Sequence, residues 1–495
     1  MSLSLRELLN RARWRDGALH ALELVVVHRG APGDRRVVSG ARVTDVGAGG
    51  VTIAPERDDE DETFLPYHRF LAVRGADGAL WDKELGVLAA PSVDVDAPST
   101  TSTASAASPI ADEPEGREIA VRHEVVLREA TAQSPLATKS AGSAADLVVD
   151  GSAGEGGGQI LRTSLTLSML TGRPFAIDRI RGKRKKGGLL RQHLTCVNAA
   201  AAICSAKVEG ATLGSPKLTF RPGPLRGVEK SFDIGSAGSV ALVLQTIALP
   251  LAFADGPSTI TIRGGTHAAW APIVPFLEHA WLPRVRAMGA ELAIELRKAG
   301  FYPAGGGEIV LHVTPANTTR STDGRLLDER SLAPLHLAAP RGTLTLEAEA
   351  IVSDVPESVA RRELSALAEQ LDDERIVLRS ATVRSVGPGN ALWLVARDEE
   401  GNTNVFSALG ERGVSAEDVA REVAQRFLAW RASGAAVEEH LTDQLLVPIA
   451  LAGEGRFTTD VLSLHTTTNV DVIEAFTGRR IRSFDLGDGR FRVML

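Results

Sequence analysis

Apolar residues along this chain change their spacing at one glycine-rich stretch, and the change predicts its local structure. The run 147–149 is short, apolar and β-branched, whereas apolar residues from 160 to 170 recur at helical spacing. The sequence D-G-S-A-G-E-G-G-G-Q at 150–159 therefore joins a strand to a helix. Five glycines in eight residues allow backbone N–H groups to turn toward a ligand, and a helix N-terminus favours an anion.

One carboxylate, Glu155, stands among these glycines. An acid beside a bound phosphate would repel it unless a cation lay between them, so Glu155 indicates a Mg²⁺ or Mn²⁺ site. The alternative is a flexible turn with an exposed acid. The loop matches neither common nucleotide motif, because no Lys-Ser/Thr follows it and Gln159 replaces the third Rossmann glycine.

The pattern before this loop predicts a small α+β domain at 1–86. A capping box, Ser4-x-x-Glu7, opens a helix with one apolar face, and strand-like runs follow at 22–28, 36–38, 51–54 and 70–73. Arginines alternate with aromatic residues at Arg13-Trp14-Arg15 and at Pro66-Tyr67-His68-Arg69, with Trp81 later. Such clusters can stack bases and bind phosphates. Alternatively, Trp14 and Trp81 belong to the core.

The next segment, 87–145, is rich in Ala, Ser, Thr and Pro and has little apolar periodicity. This composition predicts a disordered linker, within which 118–127 is a candidate strand.

From 146 onward, strand-like and helical segments alternate, which indicates an α/β or α+β core at 146–335 and 433–495. Residues 336–432 form a smaller inserted α/β domain without a chemical cluster. Helices are predicted at 160–171, 189–206, 239–253, 270–288, 356–371 and 415–433. Strands are predicted at 259–263, 291–296, 308–314, 344–351, 375–383 and 391–397.

Charge and cysteine content narrow the class of protein. The 495-residue chain has a net charge of −7, so nucleic acid would have to bind local basic patches. Its two cysteines, Cys196 and Cys204, share one helical face and predict buried thiols rather than a disulfide framework. The charged N-terminus does not fit a signal peptide, and the apolar run 240–254 is too short to cross a bilayer. We expect a cytoplasmic protein that does not bind membranes.

The densest basic patch lies at 179–193, R-I-R-G-K-R-K-K-G-G-L-L-R-Q-H. Arg191, Gln192 and His193 begin a predicted helix, where basic residues are unfavourable unless they face anions. This favours phosphate recognition over a solvated loop. A second glycine-rich helix entry, 235–239, precedes Gln245 and is either a Ser N-cap or a further anion contact.

Histidines cluster with a carboxylate near the C-terminus, in H-L-T-D-Q at 440–444 and S-L-H-T-T-T-N at 463–469. We predict His465 to lie between a strand-like run at 461–462 and a helix that begins near Thr468. A histidine at a strand edge is often structural. A neutral imidazole can also attack phosphorus, with Asp443 orienting it or binding a metal.

Six motifs in order make residues from about 146 to the C-terminus resemble RNA 3′-terminal phosphate cyclases. They are G-S-A-G-E-G-G-G-Q-I-L-R, G-L-L-R-Q-H-L-T, I-G-S-A-G-S-V-A-L-V-L-Q-T, G-F-Y-P-A-G-G-G, H-L-T-D-Q-L-L-V-P-I-A-L-A and H-T-T-T-N. The resemblance implies repeated βαβαββ-type units with a smaller inserted α/β domain. It also implies a ligase that uses ATP and Mg²⁺ or Mn²⁺ to convert an RNA 3′-phosphate into a 2′,3′-cyclic phosphate, through histidine–AMP and RNA–adenylate intermediates that release pyrophosphate and AMP.

The same resemblance assigns roles to residues. His465 is the nucleophile, Asp443 orients it and Glu155 holds the metal. The residues implied in ATP binding are Gln159, Arg162, Gln245, His440, Leu441, Thr442, Asp443 and Gln444. Those implied in binding RNA or its terminal phosphate are Arg181, Arg184, Arg191, Gln192 and His193. Some relatives have an aromatic hydroxyl at the position of His440.

Residues 1–86 resemble the small RNA cyclic-group-end recognition domain. The resemblance rests on L-x-x-L-L-N-R-x-R-W, P-Y-H-R-F and W-D-K-E. It implies that this domain binds RNA ends that carry a cyclic phosphate.

Two other functions are alternatives to the cyclase. One is a non-catalytic cyclase-like protein that binds or processes RNA; such proteins lack the nucleophile, whereas this chain has His465, Glu155 and the basic patch. The other is an enolpyruvyl transferase of similar repeat architecture, against which the H-T-T-T-N motif argues.

Overall fold

A computed structural model describes most of the chain in two compact units, Met1–Arg117 and Glu118–Leu495. The described residues are 5, 8, 9, 12, 19–27, 35–46, 50–54, 63–67, 70–75, 78–82, 86–87, 137–139, 147–315, 332–373 and 375–495. Within these ranges, no helix is both long enough and apolar enough to cross a bilayer.

The first unit is built from short antiparallel strands over one apolar core. Its strands are β1 (Glu23–Val27), β2 (Arg35–Ser39), β3 (Val43–Val46), β4 (Gly50–Ile53), β5 (Thr63–Pro66), β6 (Phe70–Gly75), β7 (Gly78–Asp82) and β8 (Gly86–Val87). They form a five-stranded sheet, β2-β1-β6-β7-β8, and a three-stranded sheet, β3-β4-β5. Leu5, Leu8, Leu9 and Ala12 are helical and buried, as their spacing predicted.

The aromatic and arginine clusters of this unit are described only in part. Tyr67 and Trp81 are partly buried and pack against the core. The other predicted members, Arg13, Trp14, Arg15, His68 and Arg69, lie outside the described residues.

Most of the predicted linker also lies outside the described residues, including the candidate strand at 118–127. One part of the linker is ordered, contrary to the prediction of disorder. Ala137–Lys139 form strand β9, which pairs antiparallel with the strand that leads into the glycine-rich loop.

The second unit contains three βαβαββ segments. The first comprises β10 (Leu147–Asp150), α1 (Gly158–Thr171), β11 (Phe175–Asp178), α2 (Arg191–Cys204), β12 (Lys207–Glu209) and β13 (Leu218–Arg221). The second comprises β14 (Glu229–Asp233), α3 (Val240–Leu251), β15 (Ser258–Gly264), a helix α4, β16 (Glu291–Lys298) and β17 (Gly307–Thr314). Helix α4 runs from Val274–Phe276 through a π-helical turn, Leu277–Trp281, into Leu282–Ala287.

The third segment is interrupted after its first strand, β18 (Leu335–His336). The inserted residues form a separate sheet and two helices, comprising β19 (Thr345–Ser353), α5 (Glu357–Leu371), β20 (Val377–Thr382), β21 (Gly389–Arg397), β22 (Thr403–Leu409) and α6 (Ala416–Ser433). The segment then resumes with α7 (Glu439–Ala452), β23 (Gly455–Thr459), α8 (Leu464–Thr477), β24 (Arg482–Asp485) and β25 (Phe491–Met494).

The three segments share one strand order, which confirms the predicted repeated βαβαββ units. In each, the first two strands are parallel, the last strand lies antiparallel to the second, and the third strand is at the edge. The inserted sheet, β20-β19-β21-β22, has its own apolar core beneath α5 and α6. The fold is therefore mixed α and β, as predicted.

The helices that open the three repeats come together and position the site. Helix α1 packs against α3 and α8, and α7 packs against α8 and α4. One boundary differs from the prediction: α8 begins at Leu464 rather than near Thr468, because Ser463 caps it by accepting a hydrogen bond from the Thr466 N–H. His465 thus lies in the first turn of a helix and not between a strand and a helix.

Candidate active site

The glycine-rich loop presents free backbone donors at the start of α1. Gly157 is the N-cap residue and supplies no side chain to cap the helix. The described part of the chain offers no hydrogen-bond partner to the N–H groups of Gly157 and Gly158. Since the first amides of a helix also carry its positive dipole end, this loop can bind an anion.

Glu155 is buried within this loop by contacts from distant parts of the chain. Its backbone N–H donates to Thr468 Oγ1 (2.9 Å), and its Oε2 accepts from the Arg184 guanidinium (2.8 Å). Lys183 closes the other side by donating to the Gly154 carbonyl (2.6 Å). The basic patch and α8 therefore hold the acid beside the free amides.

His465 and Asp443 are connected through Gln159. Gln159 Nε2 donates to Asp443 Oδ2 (2.8 Å), and Gln159 Oε1 lies 2.8 Å from His465 Nδ1. An ionised carboxylate only accepts hydrogen bonds, so the Gln159 amide turns its NH₂ group to Asp443 and its oxygen to His465. This assignment makes His465 Nδ1 a donor and leaves the lone pair of Nε2 unused.

Asp443, Gln159 and His465 form a relay of three side chains. Its two ends differ in their exposure to solvent. Burial raises the pKa of the Asp443 carboxyl to about 6, while His465, Gln444 and Arg162 oppose the rise. Gln444 Nε2 donates to Asp443 Oδ1 (2.7 Å), so both carboxylate oxygens are bonded. The His465 side chain is 52% exposed, and its Nδ1 lies 3.7 Å from Glu155 Oε1. One end is therefore fixed and buried, and the other reaches solvent.

A cleft of about 510 Å³, counting space open to solvent, lies where α1, α3, α4, α7 and α8 meet. Gln245 donates from α3 to Gln444 Oε1 on α7, and Trp281 Nε1 donates to the Gln444 carbonyl (3.3 Å). The lining residues are Gln159, Arg162, Thr163, Thr166, Gln245, Thr246, Leu249, Trp281, Asp443, Gln444, Val447 and Asn469.

Two basic side chains adjoin the start of α1. A β-carbon at Gly158 would lie 2.3 Å from His193 Nε2 and 2.9 Å from an Arg162 nitrogen, so both groups lie directly against the loop. Burial, helped by the charges of Arg162 and Arg181, lowers the pKa of His193 to about 3, and its ring is neutral near pH 7. The buried His193 Nδ1 has no hydrogen-bond partner among the described residues.

Comparison with known proteins gives one consistent answer. A family model described as RNA 3′-terminal phosphate cyclase matches residues 153–483. The chain belongs to the RNA 3′-terminal phosphate cyclase family. A protein of this name from Ralstonia nicotianae is 51% identical over 66% of this chain and 90% of its own length. Proteins of the same name from Ectopseudomonas mendocina (46%, over 69% and 96%) and Salmonella enteritidis (47%, over 67% and 93%) agree.

Within this cyclase family fold, many of the predicted site residues come together. Glu155, Gln159, Arg162, Arg184, His193, Gln245, Asp443, Gln444 and His465 surround the loop and the cleft. Membership of the cyclase family and the mixed αβ fold thus confirm the resemblance. The role of each residue stays a prediction.

Three residues predicted to bind RNA or its terminal phosphate have partners within the protein. Arg181 donates to the carbonyls of Lys186 and Gly188 in its own loop. Gln192 Oε1 accepts from the Ser239 N–H (3.0 Å), and a β-carbon at Gly235 would lie 3.2 Å from Arg191 Nη1. The last two therefore contact the second glycine-rich loop rather than the cleft.

The side chains of Leu441 and Thr442 do not line the cleft, and their role in ATP binding stays a prediction. The helical period of α7 turns Asp443, Gln444 and Val447 toward the cleft. Leu441 packs into the core, and the Thr442 hydroxyl donates to the Glu438 carbonyl (3.0 Å). His440 is exposed in the first turn of α7 and is absent from the cleft lining.

Sequence reasoning also missed residues that shape the site. Thr163 on α1 donates to Asn469 Oδ1 (2.8 Å), and Asn469 Nδ2 donates to the Asp443 carbonyl (3.0 Å). Thr468 and Asn469 stand in the quoted H-T-T-T-N motif, which could have drawn attention to them. Trp281 carried no chemical signal, because a tryptophan in a helical pattern usually belongs to the core.

The donor set around Glu155 fits a divalent cation bound together with a phosphate substrate. Among the described residues, no three His, Cys, Asp or Glu side chains form a metal-binding cluster. Mg²⁺ commonly takes only one or two protein carboxylates and completes its shell with phosphate oxygens and water. Glu155, whose Oε1 is not engaged by Arg184, can supply that one carboxylate.

Proposed function

We propose that this chain uses ATP to convert an RNA 3′-terminal phosphate into a 2′,3′-cyclic phosphate through a covalent AMP adduct of His465. The relay His465–Gln159–Asp443 carries the proposal. It leaves an unprotonated Nε2 on a half-exposed imidazole next to free backbone amides. A nucleophilic histidine needs this arrangement, in which a third group fixes the tautomer.

In the first step, the Nε2 lone pair of His465 forms a bond to the α-phosphorus of ATP. The bond between that phosphorus and the oxygen bridging to the β-phosphate breaks, and pyrophosphate leaves with the electron pair. The imidazole, now bonded at both nitrogens, becomes positively charged. Asp443 stabilises that charge through Gln159, and Glu155 lies 3.7 Å from the ring.

In the second step, an oxygen of the RNA 3′-phosphate attacks the same phosphorus, and the P–N bond returns its electron pair to Nε2. In the third, the neighbouring 2′-OH attacks the activated RNA phosphorus, loses its proton to solvent, and AMP leaves. Because the attacking hydroxyl and the phosphate share one ribose, proximity can lower this barrier by about 7–11 kcal/mol.

The phosphate charge in these steps needs neutralisation, and the chain provides several groups for it. Arg162 and the free N–H groups of Gly157 and Gly158 lie at the start of α1, which also carries Gln159 of the relay. Arg184 carries a positive charge at Glu155 (2.8 Å). A Mg²⁺ or Mn²⁺ ion held by Glu155 would supply further neutralisation of the phosphate oxygens. The alternative, a non-catalytic RNA-binding protein, has no use for a tautomer-setting relay.

Replacing the proposed nucleophile tests the function directly. Incubation of the wild-type chain with α-labelled ATP and Mg²⁺ or Mn²⁺ should label the protein, and mass spectrometry should place AMP on His465. His465→Ala should lose the label entirely. His312→Ala is the matched control, since His312 is exposed on β17 and distant in the fold from the relay. Equal labelling of wild type and His465→Ala would refute the proposal.

A further inference from the structure

Two aromatic side chains are exposed on loops of the second βαβαββ segment. Among the described residues, Trp270 (101% exposed) and Tyr302 (77%) are the large aromatic side chains that lie open to solvent. Trp270 also has a positive φ of 61°, which is unfavourable for a bulky residue. The core does not use either ring, and a strained, exposed tryptophan is a frequent mark of a binding site.

The loops that carry these rings are tied together. The N–H groups of Thr266 and His267 both donate to the Gly300 carbonyl (2.9 and 3.1 Å). The buried His267 ring stacks on Phe301, with centroids 5.1 Å apart. Trp270 follows His267 by three positions and Tyr302 follows Phe301, so the two exposed rings stand on neighbouring, well-supported loops. We call Trp270 and Tyr302 the aromatic platform.

A continuous surface leads from the platform to the anion-binding residues. A β-carbon at Gly305 would lie 2.8 Å from the Ser236 carbonyl oxygen, so the Tyr302 loop rests on the second glycine-rich loop. The Arg191 guanidinium lies on the same loop, at Gly235. Arg191 begins α2, which carries His193 to the start of α1. The platform is therefore contiguous with the proposed phosphate site.

The inserted domain adds a second cation to this surface. A β-carbon at Gly306 would lie 2.4 Å from Val386 Cγ2, which places the 384–388 loop of the insertion against the Tyr302 loop. Arg384 on that loop is exposed. In the described part of the chain, neither Arg191 nor Arg384 forms an ion pair. Unpaired arginines next to exposed aromatic rings are complementary to a polyanion that also has stacking faces.

We propose that the aromatic platform, flanked by Arg191 and Arg384, binds the single-stranded RNA that precedes the terminal nucleotide. Bases stack on Trp270 and Tyr302, and the two arginines bind backbone phosphates. A stacking surface accepts any base, because every base has a π-face. The platform thus supplies affinity for the RNA chain without a sequence requirement. This inference rests on the proposed function for the identity of the substrate.

The test measures RNA binding apart from chemistry. The probe is a single-stranded RNA decamer with a 5′ fluorophore and a 3′-phosphate, titrated with the full chain in the absence of ATP and followed by fluorescence anisotropy. The double substitution Trp270→Ala/Tyr302→Ala should weaken binding roughly 5- to 100-fold per stacked base. Trp270→Phe/Tyr302→Phe, which keeps flat aromatic faces, should restore most of the affinity. A nucleoside 3′-phosphate, which has no preceding nucleotide, should bind the alanine and wild-type proteins equally.

Labelling with α-labelled ATP runs in parallel on the same variants and should be unchanged. An unchanged decamer affinity in the alanine variant would overturn the inference. Slower labelling by ATP would overturn it too, because the rings would then belong to the nucleotide site. Absence of the AMP adduct from the wild-type protein would refute the proposed function, while the decamer titration would still decide on the platform.

Discussion

The sequence G-S-A-G occurs twice between the first strand and the first helix of a repeat, at 151–154 and at 235–238. The backbone N–H groups of the two loops differ in their hydrogen bonding. In the first loop, E-G-G-G follows, and no described residue accepts a hydrogen bond from the amides of Gly157 and Gly158. In the second, Ser239 follows directly and caps α3 by accepting from the Leu242 N–H (3.4 Å). The first loop is open to an anion, whereas the second is closed by the protein.

The second loop is closed by side chains that take the place of a ligand. Gln192 Oε1 accepts from the Ser239 N–H, and Asp233 accepts from the Gly235 N–H (2.7 Å). Of the two alternatives for this loop, the Ser N-cap is confirmed. A four-residue motif thus does not define an anion site. The residues after it decide whether the amides stay free.

The helices that follow the two loops show a parallel difference. Gln159 on α1 donates to the Asp443 carboxylate, while Gln245 on α3 donates to the neighbouring amide, Gln444. Both glutamines thus reach α7 from different repeats. One contact contains a group that titrates near neutrality, and the other is neutral. This difference, like that between the loops, can be tested by substitution.

The largest effect is expected from adding a methyl group to the open loop. Gly158→Ala would bring a β-carbon within 2.3 Å of His193 Nε2 and displace the groups that face the free amides. We expect the rate of AMP labelling in a single turnover to fall roughly 100-fold or more, the size expected when an aimed donor is lost. Thermal stability should fall as well, because the buried His193 ring must move to admit the β-carbon.

Gly238→Ala is the matched change in the closed loop. Its β-carbon would lie 2.8 Å from Ile234 Cγ2 and 3.0 Å from Gln192 Cβ, so it should lower the melting temperature. It should leave the labelling rate within a few-fold of wild type. If the two variants lost labelling to the same extent, the distinction between an open and a closed loop would be wrong.

The sequence could predict which loop matters but not how the relay is assembled. The change from strand to helical spacing located the junction before α1, and the density of glycine indicated an anion. The βαβαββ repeats and the family followed from six motifs taken together. Each of these signals is local or lies in the order of motifs, so a single sequence carries it.

The relay joins residues that lie hundreds of positions apart, and no local pattern specifies such contacts. Sequence reasoning assigned Asp443 to orient His465 and Gln159 to bind ATP, and in the structure Gln159 stands between the other two. It also began α8 too late, because Thr466 and Thr467 are weak helix formers and hid the cap at Ser463. The relay thus depends on tertiary contacts, whereas the start of α8 depends on a local cap.

The relay should make the first step sensitive to pH in a way that the neutral contact of Gln245 is not. Burial raises the pKa of Asp443 from 3.8 to about 6. As the pH falls below about 6, the carboxyl gains a proton and no longer holds the Gln159 amide in one orientation. The rate of AMP labelling should fall with it. Asp443→Asn should be slow at every pH and lack this acid limb, whereas Gln444→Ala should keep it.

The substitution Asp443→Asn should slow AMP labelling but raise the stability of the fold near neutral pH. A carboxyl whose folded pKa is raised stabilises the protein below its ordinary pKa, and this contribution is lost as the pH rises through about 6. Above that pH, Asp443→Asn should therefore have a free energy of unfolding higher than that of wild type by about 3 kcal/mol at most. It should also melt at a higher temperature. A lower melting temperature at pH 8 would mean that the hydrogen bonds outweigh the cost of burying the charge.

The smallest effect is expected where the closed loop is opened. Gln192→Ala removes the acceptor from the nearly buried Ser239 N–H, and an unpaired buried amide costs about 1–3 kcal/mol. Chemical denaturation should show that loss, while cyclisation of an RNA 3′-phosphate should stay near the wild-type rate. Gln192→Glu keeps an acceptor for Ser239 and should recover most of the stability. A loss of cyclisation without a loss of stability would instead support the phosphate-binding role that sequence resemblance implied for Gln192.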